Sequence, residues 1–309
     1  MEARLLGPKD AALLEDFLKE RRDSSMFLRY NLQRAGLEDR GERFQATYAG
    51  SFRGDRLLGV VAHCWNGFLL LQAPDGLEPA LRAALAHTSQ HGGRKIAAFL
   101  GPTPQVQQAR SLLGLDSAAT RPSDSEWLLG LELADLRPPE ALRTGFIECR
   151  PPLPRERALL SEWRMAYEME SLGAEAGQAL RSSAEQHVSE LMEAGRIWVA
   201  LSRGTPVSMA AFNAVLPAVR ATEGSASSSA ESAGMVQLGG VFTPPVQRGR
   251  GFAQIAVAGA LLAAREQGAE RAVLFTSNPS AVRTYERVGF RRVGEYAVQV
   301  LVRPDSPRQ

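Results

Sequence analysis

The sequence predicts an α/β fold in two tandem copies, each a mixed, mostly antiparallel sheet flanked by helices. Three observations carry that prediction. Strand-like and helical runs alternate along all 309 residues, a hairpin occurs early in each half, and the same order of elements is read twice.

The first half opens with an apolar run from Ala3 ended by Gly7-Pro8, a short strand. "DAALLEDFLKERR" follows at helical spacing, with Asp10 as candidate N-cap, and "SSMFLRYNLQRAG" reads as a second helix. "RFQATYAGSF" and "RLLGVVAHCW", separated by "RGD", make a hairpin. "GFLLLQAP" is a strand, "LEPALRAALAHTSQHGG" a helix ended by glycines, "RKIAAFLGP" a strand and "PQVQQARSLLGL" a helix. "SEWLLGLELADL" reads as the strand that closes this half.

The second half repeats the order. A strand ("GFIECRPP"), two helices ("ERALLSEWRMAYEMESLG", "SAEQHVSELMEAG") and a hairpin ("RIWVALSRGTPVSMAAFNAV") lead to the strand "MVQLGGVFTPP". The helix "FAQIAVAGALLAA", the strand "RAVLFTS", the helix "PSAVRTYERVGF" and a last strand, "RRVGEYAVQVLV", complete it. Pro104–Gly114 and Pro279–Gly289 have equal length and lie 175 residues apart, whereas the hairpin glycines Gly54 and Gly204 lie only 150 apart. The difference falls on a Ser/Ala/Gly/Glu-rich insertion at about 216–234, whose composition gives no packing face. The expected domains are 1–135 and 145–302.

Bulk properties exclude several classes. An apolar fraction of 44% suits folded domains, and a net charge of +2 with no basic block argues against a nucleic-acid partner. The two cysteines, Cys64 and Cys149, match no zinc or redox spacing, so no metal is expected. Neither a signal peptide nor a membrane-spanning run is read, so the expectation is a cytoplasmic protein, monomer or homodimer, without a membrane partner.

The chemistry concentrates at "PPVQRGRGFA". A helix N-terminus offers unpaired N–H groups and the positive end of the helix dipole, a setting for phosphate. Gly249 and Gly251 let backbone approach an anion, and Arg248 and Arg250 add charge-assisted donors. The turn is neither a Walker P-loop nor a dinucleotide-binding fingerprint, because no Lys-Ser/Thr and no third glycine follow at the required spacing.

"QRGRGFA" resembles the pyrophosphate-binding signature of the GNAT superfamily, the acyl-CoA-dependent N-acetyltransferases, with Arg248, Gly251 and Ala253 in register. "SNPSAVRTYERVGFRRVGEY" is similar to the same family's closing motif through Asn278, Tyr285, Gly289 and Phe290. The resemblance covers about 145–302 and implies acetyl-CoA as acyl donor and an amine, on a small molecule or a protein, as acceptor. It implies a cofactor site of Val241, Phe242 and Thr243 for the pantetheine arm, and of Arg248, Gly249, Arg250, Gly251, Phe252 and Ala253 for the pyrophosphate. Asn278 bonds the pantetheine or caps the following helix, and Tyr285 is the acid to the departing thiolate. Family members often place a basic carboxylate on the strand before the signature; here that strand offers only Gln237, and of Glu168, Glu170 and Glu175, which the resemblance puts on the substrate side, Glu170 is the candidate base. Gly239 and Gly240 fit a bulge or a close backbone approach in that strand, or else a weak edge strand. The first half carries Asp75 and Glu78 at the equivalent turn and Arg110 where Tyr285 stands, so it reads as a degenerate copy without a cofactor site. The alternative function is an acyl-CoA-binding regulatory module without turnover.

Overall fold

The computed structural model describes residues 1–121, 125–218 and 234–305. Most of the Ser/Ala/Gly-rich insertion, 219–233, lies outside the described residues. Along the chain the elements are β1 (Glu2–Leu5), α1 (Ala11–Lys19), α2 (Met26–Ala35), β2 (Ala46–Arg53), β3 (Arg56–Cys64), β4 (Phe68–Gln72), α3 (Leu77–Gln90), β5 (Ile96–Pro102) and α4 (Thr103–Leu112). There follow β6 (Thr120–Arg121), β7 (Glu126–Glu132), α5 (Glu140–Arg143), β8 (Glu148–Arg150), α6 (Arg157–Leu172), α7 (Gln178–Glu193), β9 (Ile197–Ser202) and β10 (Thr205–Leu216). The last are β11 (Gly234–Phe242), α8 (Phe252–Glu266), β12 (Ala269–Thr276), α9 (Pro279–Val288) and β13 (Arg291–Asp305).

Two compact units form, Met1–Leu128 with Gly294–Gln309, and Leu129–Val293. These boundaries differ from the expected 1–135 and 145–302, and the difference is an exchange of last strands. The greater part of β13 closes the first unit's sheet, antiparallel to β5, with Tyr296 opposite Pro102 and Ala297 opposite Gly101. Leu129–Glu132 of β7, expected to close the first half, lies instead in the second unit beside β12. Both segments are strands that take the same sheet position, beside the second strand of a parallel pair, so one can stand in the other's place. The same logic underlies domain swapping.

In the first unit the sheet order is β1-β2-β3-β4-β5-β13, with β4 and β5 parallel and the neighbours before them antiparallel. In the second it is β8-β9-β10-β11-β12, followed by β7, with β11 and β12 parallel. β2 and β3 are buried along nearly their whole length, so neither shows strict alternation of apolar and polar residues. The second unit's core joins Leu160 and Trp163 of α6 to Val188 and Leu191 of α7 and to Val199, Met209 and Phe242 of the sheet. Helix α8 lies close to the sheet because Ala256, Ala258 and Ala260 are fully buried and a Cβ on Gly259 would meet the Cys149 side chain.

The duplication is visible at atomic detail. Arg4 binds Asp10 through two 2.8 Å hydrogen bonds while the Gly7 N–H donates to the same carboxylate. In the second unit Arg150 binds Glu156 at 2.9 and 2.7 Å, and the Leu153 N–H donates to that carboxylate. Each residue stands 146 positions after its counterpart, as does Pro154 after Pro8. Asp10 therefore does not cap α1 with its side chain, as its position suggested. A 3-10 turn, Pro8–Asp10, precedes the helix, and the carboxylate turns back to Gly7 and Arg4.

Candidate functional site

The site begins where two parallel strands part. β11 and β12 are in register from Gly234 and Ala269 to Gln237 and Val273. Beyond that point β11 runs on to Phe242 and β12 to Thr276 with no further register between them among the described residues. β11 stays paired with β10 on its other side, but through a bulge. Ala211 pairs with Gly239 and Met209 with Phe242, so three steps on β11 oppose two on β10. Gly240 makes that bulge with φ +59°, a conformation glycine takes without steric cost. The glycine pair read as a bulge is therefore one.

At the outer end of β11 the chain passes Pro244-Pro245 and turns into α8. Gly249 and Gly251 have φ +75° and +79°. A Cβ on either would meet nothing within 4 Å, so backbone conformation rather than crowding requires glycine, and the turn is open. No side chain caps α8, and its first intrahelical bond runs from the Ile255 N–H to the Gly251 carbonyl at 3.3 Å. The N–H groups of Phe252, Ala253 and Gln254 thus form the orphan donors of a helix start.

Arg248 and Arg250 are exposed. Arg248 donates from Nε to the Thr243 carbonyl at 2.9 Å and from Nη2 to Glu170 Oε2 at 2.7 Å. Arg250 donates to Gln247 Oε1 at 2.8 Å, with its guanidinium 4.9 Å from the Phe252 ring centre. Val241 and Thr243 are half-buried and Phe242 is buried, so the backbone of this segment carries little exposed side chain. Glu170, read as candidate base, sits at the outer end of the site against Arg248.

At the tip of β12 the Asn278 side chain accepts from the Ser280 and Ala281 N–H groups at 2.8 and 3.3 Å, and so caps α9. Tyr285 lies on the buried face of α9 with Val282 and Val288, its ring 5.9 Å from Phe290 in an edge-on contact. Gln237 is buried where β11 and β12 part. Its Nε2 donates to the Leu238 carbonyl at 2.8 Å, and its Oε1 has no partner among the described residues.

Sequence reasoning weighed Glu168 as a possible base but passed over Arg164 and the pair the two form. Arg164 and Glu168 of α6 form an ion pair, Nε to Oε1 at 2.6 Å, with side chains only 13% and 15% exposed. Arg164 Nη1 lies 3.1 Å from where a Gly240 Cβ would stand. The i,i+4 Arg/Glu spacing was the only available signal, and it is common on solvated helices.

The first unit's equivalent region is closed. A Cβ on Gly101 would lie 2.8 Å from the Leu71 carbonyl oxygen, so β4 and β5 stay in contact past their last registered pair, Leu70 and Leu100. Gln105 Oε1 takes the Ala73 N–H at 2.6 Å, and Ser51 and Met1 pack onto Gly76 at the start of α3. Arg110 is buried and holds the carbonyls of Leu115, Asp116 and Ala118 and the Gln299 side chain. Both cysteine thiols are pushed up to about 12 by burial, which suits packing residues. No group of metal-ligating side chains occurs among the described residues, and no helix there is long and apolar enough to cross a membrane.

The acetyltransferase (GNAT) family model matches residues 158–290. An acetyltransferase of Agrobacterium fabrum is 46% identical over 59 residues, which is 19% of this chain and 42% of that relative. The chain thus spans under half the length of that relative. A GCN5-related N-acetyltransferase from Sphaerobacter thermophilus has a similar fold, with TM-score 0.53 and 15% identity over 99% of this chain and 97% of its own. A tandem GNAT protein from the clavulanic acid biosynthesis pathway gives TM-score 0.50 and 12% identity, covering 100% and 99%. The chain therefore carries an acetyltransferase (GNAT) family match over residues 158–290, within its second unit, and shares the fold of a tandem GNAT protein along its length.

Proposed function

We propose that the second unit transfers an acetyl group from acetyl-CoA to an amine. The observation that carries this reading is the slot between β11 and β12, which leads to an open turn with two left-handed glycines and a bare helix start. In this reading the backbone of Val241–Thr243 pairs with the pantetheine arm as an added strand. The N–H groups of Gly249–Ala253, with Arg248 and Arg250, hold the pyrophosphate. Arg248 then exchanges the Glu170 carboxylate for a phosphate oxygen. Asn278 keeps the tip of β12 in place through its cap.

The amine nitrogen attacks the thioester carbonyl; the new C–N bond forms as the C–S bond breaks. A β11 N–H near the Gly240 bulge stabilises the oxyanion. The Tyr285 hydroxyl gives its proton to the departing thiolate, and the amine's proton leaves to water, because Glu170 stands at the Arg248 end of the slot, beside the pyrophosphate. Tyr285→Phe should lower kcat about 10- to 100-fold while leaving acetyl-CoA affinity within about twofold. Steady-state thiol release over an amine panel, with acetyl-CoA binding measured separately, checks it. Unchanged kcat removes Tyr285 from the acid role.

A second reading, an acyl-CoA-binding module without turnover, is favoured by one observation: β11 offers the amide of Gln237 and no carboxylate. Tight acetyl-CoA binding with no thiol released from any amine would select it.

A further inference from the structure

On the reading just given, the position of each β11 residue has a chemical meaning. The pyrophosphate lies at 248–253 and the pantetheine at 241–243, so the thioester and the incoming amine lie one step upstream, at the Gly239–Gly240 bulge. One charged side chain reaches that point among the described residues. Arg164 Nη1 stands 3.1 Å from the position a Gly240 Cβ would take, over backbone that only a glycine leaves uncovered. Glu168 fixes the guanidinium through Nε at 2.6 Å, and the Tyr167 ring lies 5.2 Å from it. A guanidinium has two edges that accept a carboxylate in the plane. Glu168 takes the Nε side, while Nη1 and Nη2 have no hydrogen-bond partner among the described residues. The side chain as a whole is only 13% exposed, while Nη1 and Nη2 are not among the buried unpartnered atoms of the described residues, so this edge is reachable.

We propose that Arg164 is the specificity residue for an acceptor carrying a carboxylate near its amine, a substrate of the amino-acid class. Its Nη1–Nη2 edge binds the acceptor carboxylate in two parallel N–H···O bonds, which sets the neighbouring nitrogen over the bulge where the thioester carbonyl lies. Glu168 is a positioning residue. It holds the fork flat against β11 and lowers the cost of a buried cation when no acceptor is present.

The test uses the full chain, acetyl-CoA and matched acceptors: each amino acid beside its amide and its decarboxylated amine. Thiol release gives kcat/KM for each member, and calorimetry gives acetyl-CoA affinity. The expected result is turnover of carboxylate-bearing members, favoured over their amides by about 10- to 100-fold. In Arg164→Ala and Arg164→Lys that ratio should fall towards one, through KM for the acceptor. Glu168→Gln should weaken the ratio less than Arg164→Ala does. Circular-dichroism melting identifies any variant that fails to fold, and Arg164→Lys, which keeps charge and stem, is the milder check. Turnover confined to amines without a carboxylate overturns the proposal, as does acetyl-CoA binding with no carboxylate member acetylated. A preference that survives in both Arg164 variants also overturns it. Loss of acetyl-CoA binding in the native chain would instead sink the underlying acetyl-transfer reading.

Discussion

Arg248 and Glu170 show how much a single contact adds to a motif. The turn sequence marks Arg248 as an anion binder, and in the structure an anion is already there, the Glu170 carboxylate at 2.7 Å. Both side chains are about half exposed, at 43% and 51%, so the pair is screened and contributes little stability. It is well suited to exchange. The paired acids at the start of each unit are different: the Arg4 guanidinium beside Asp10 holds that carboxyl down to about 2, and Arg150 likewise lowers Glu156. A depressed carboxyl stabilises the fold fully above the ordinary carboxylate range and loses that contribution as pH falls through its folded value. Asp10→Asn should therefore cost about 1–2 kcal/mol at pH 7, with most of the difference gone by pH 2. Urea unfolding of variant and native chain at the two pH values checks this; an equal gap at both would contradict it. At this scale the sequence disclosed Asn278 as a cap and Gly249 and Gly251 as turn residues, because local backbone chemistry decides both. Arg164 was not legible. Its meaning comes from Gly240, a residue far along the chain, and nothing in the i,i+4 pattern of α6 names that neighbour.

Among the elements, β11 and α8 do the positioning. β11 combines a bulge, a register that ends at Gln237 and a tail that runs past it to Phe242. Helix α8 has small residues against the sheet and a capless, glycine-led start. Gly251→Ala should cost about 1–2 kcal/mol in stability, since alanine adopts φ +79° only under strain, and should weaken acetyl-CoA binding as the turn relaxes. Gly259→Val tests the other end of the same logic. Its Cβ would meet Cys149, so overpacking of about 1–3 kcal/mol is expected with the turn sequence intact. Thermal melts with and without acetyl-CoA separate the two variants: only Gly251→Ala should lose ligand-induced stabilisation beyond its own destabilisation. The hairpin at Arg203-Gly204 was readable because a glycine interrupts two strand-like runs there, and the structure gives both residues the positive φ a two-residue hairpin turn demands. The ends of β7 and β13 were not readable in the same way. A strand's apolar pattern says that it is buried, and not which of two similar sheets buries it.

For the whole molecule, one fold occurs twice with different fates. The first unit keeps the strand order, the ion-paired entry to its first helix and the parallel pair β4–β5. Its own side chains fill the region that is open in the second unit: Gln105 on Ala73, Ser51 and Met1 on Gly76, Arg110 on the 115–118 carbonyls. The acids at its turn are the sequence's reason to expect no cofactor site there, whereas the closure of Gly101 on Leu71 required the structure. The central claim is thus that acetyl-CoA binds the second unit alone. Isothermal titration of acetyl-CoA into the full chain, native and with Arg248→Ala, tests it most directly. One site per chain, weakened about tenfold or more by the substitution, is the predicted result. Two sites per chain, or one site indifferent to Arg248, would contradict it.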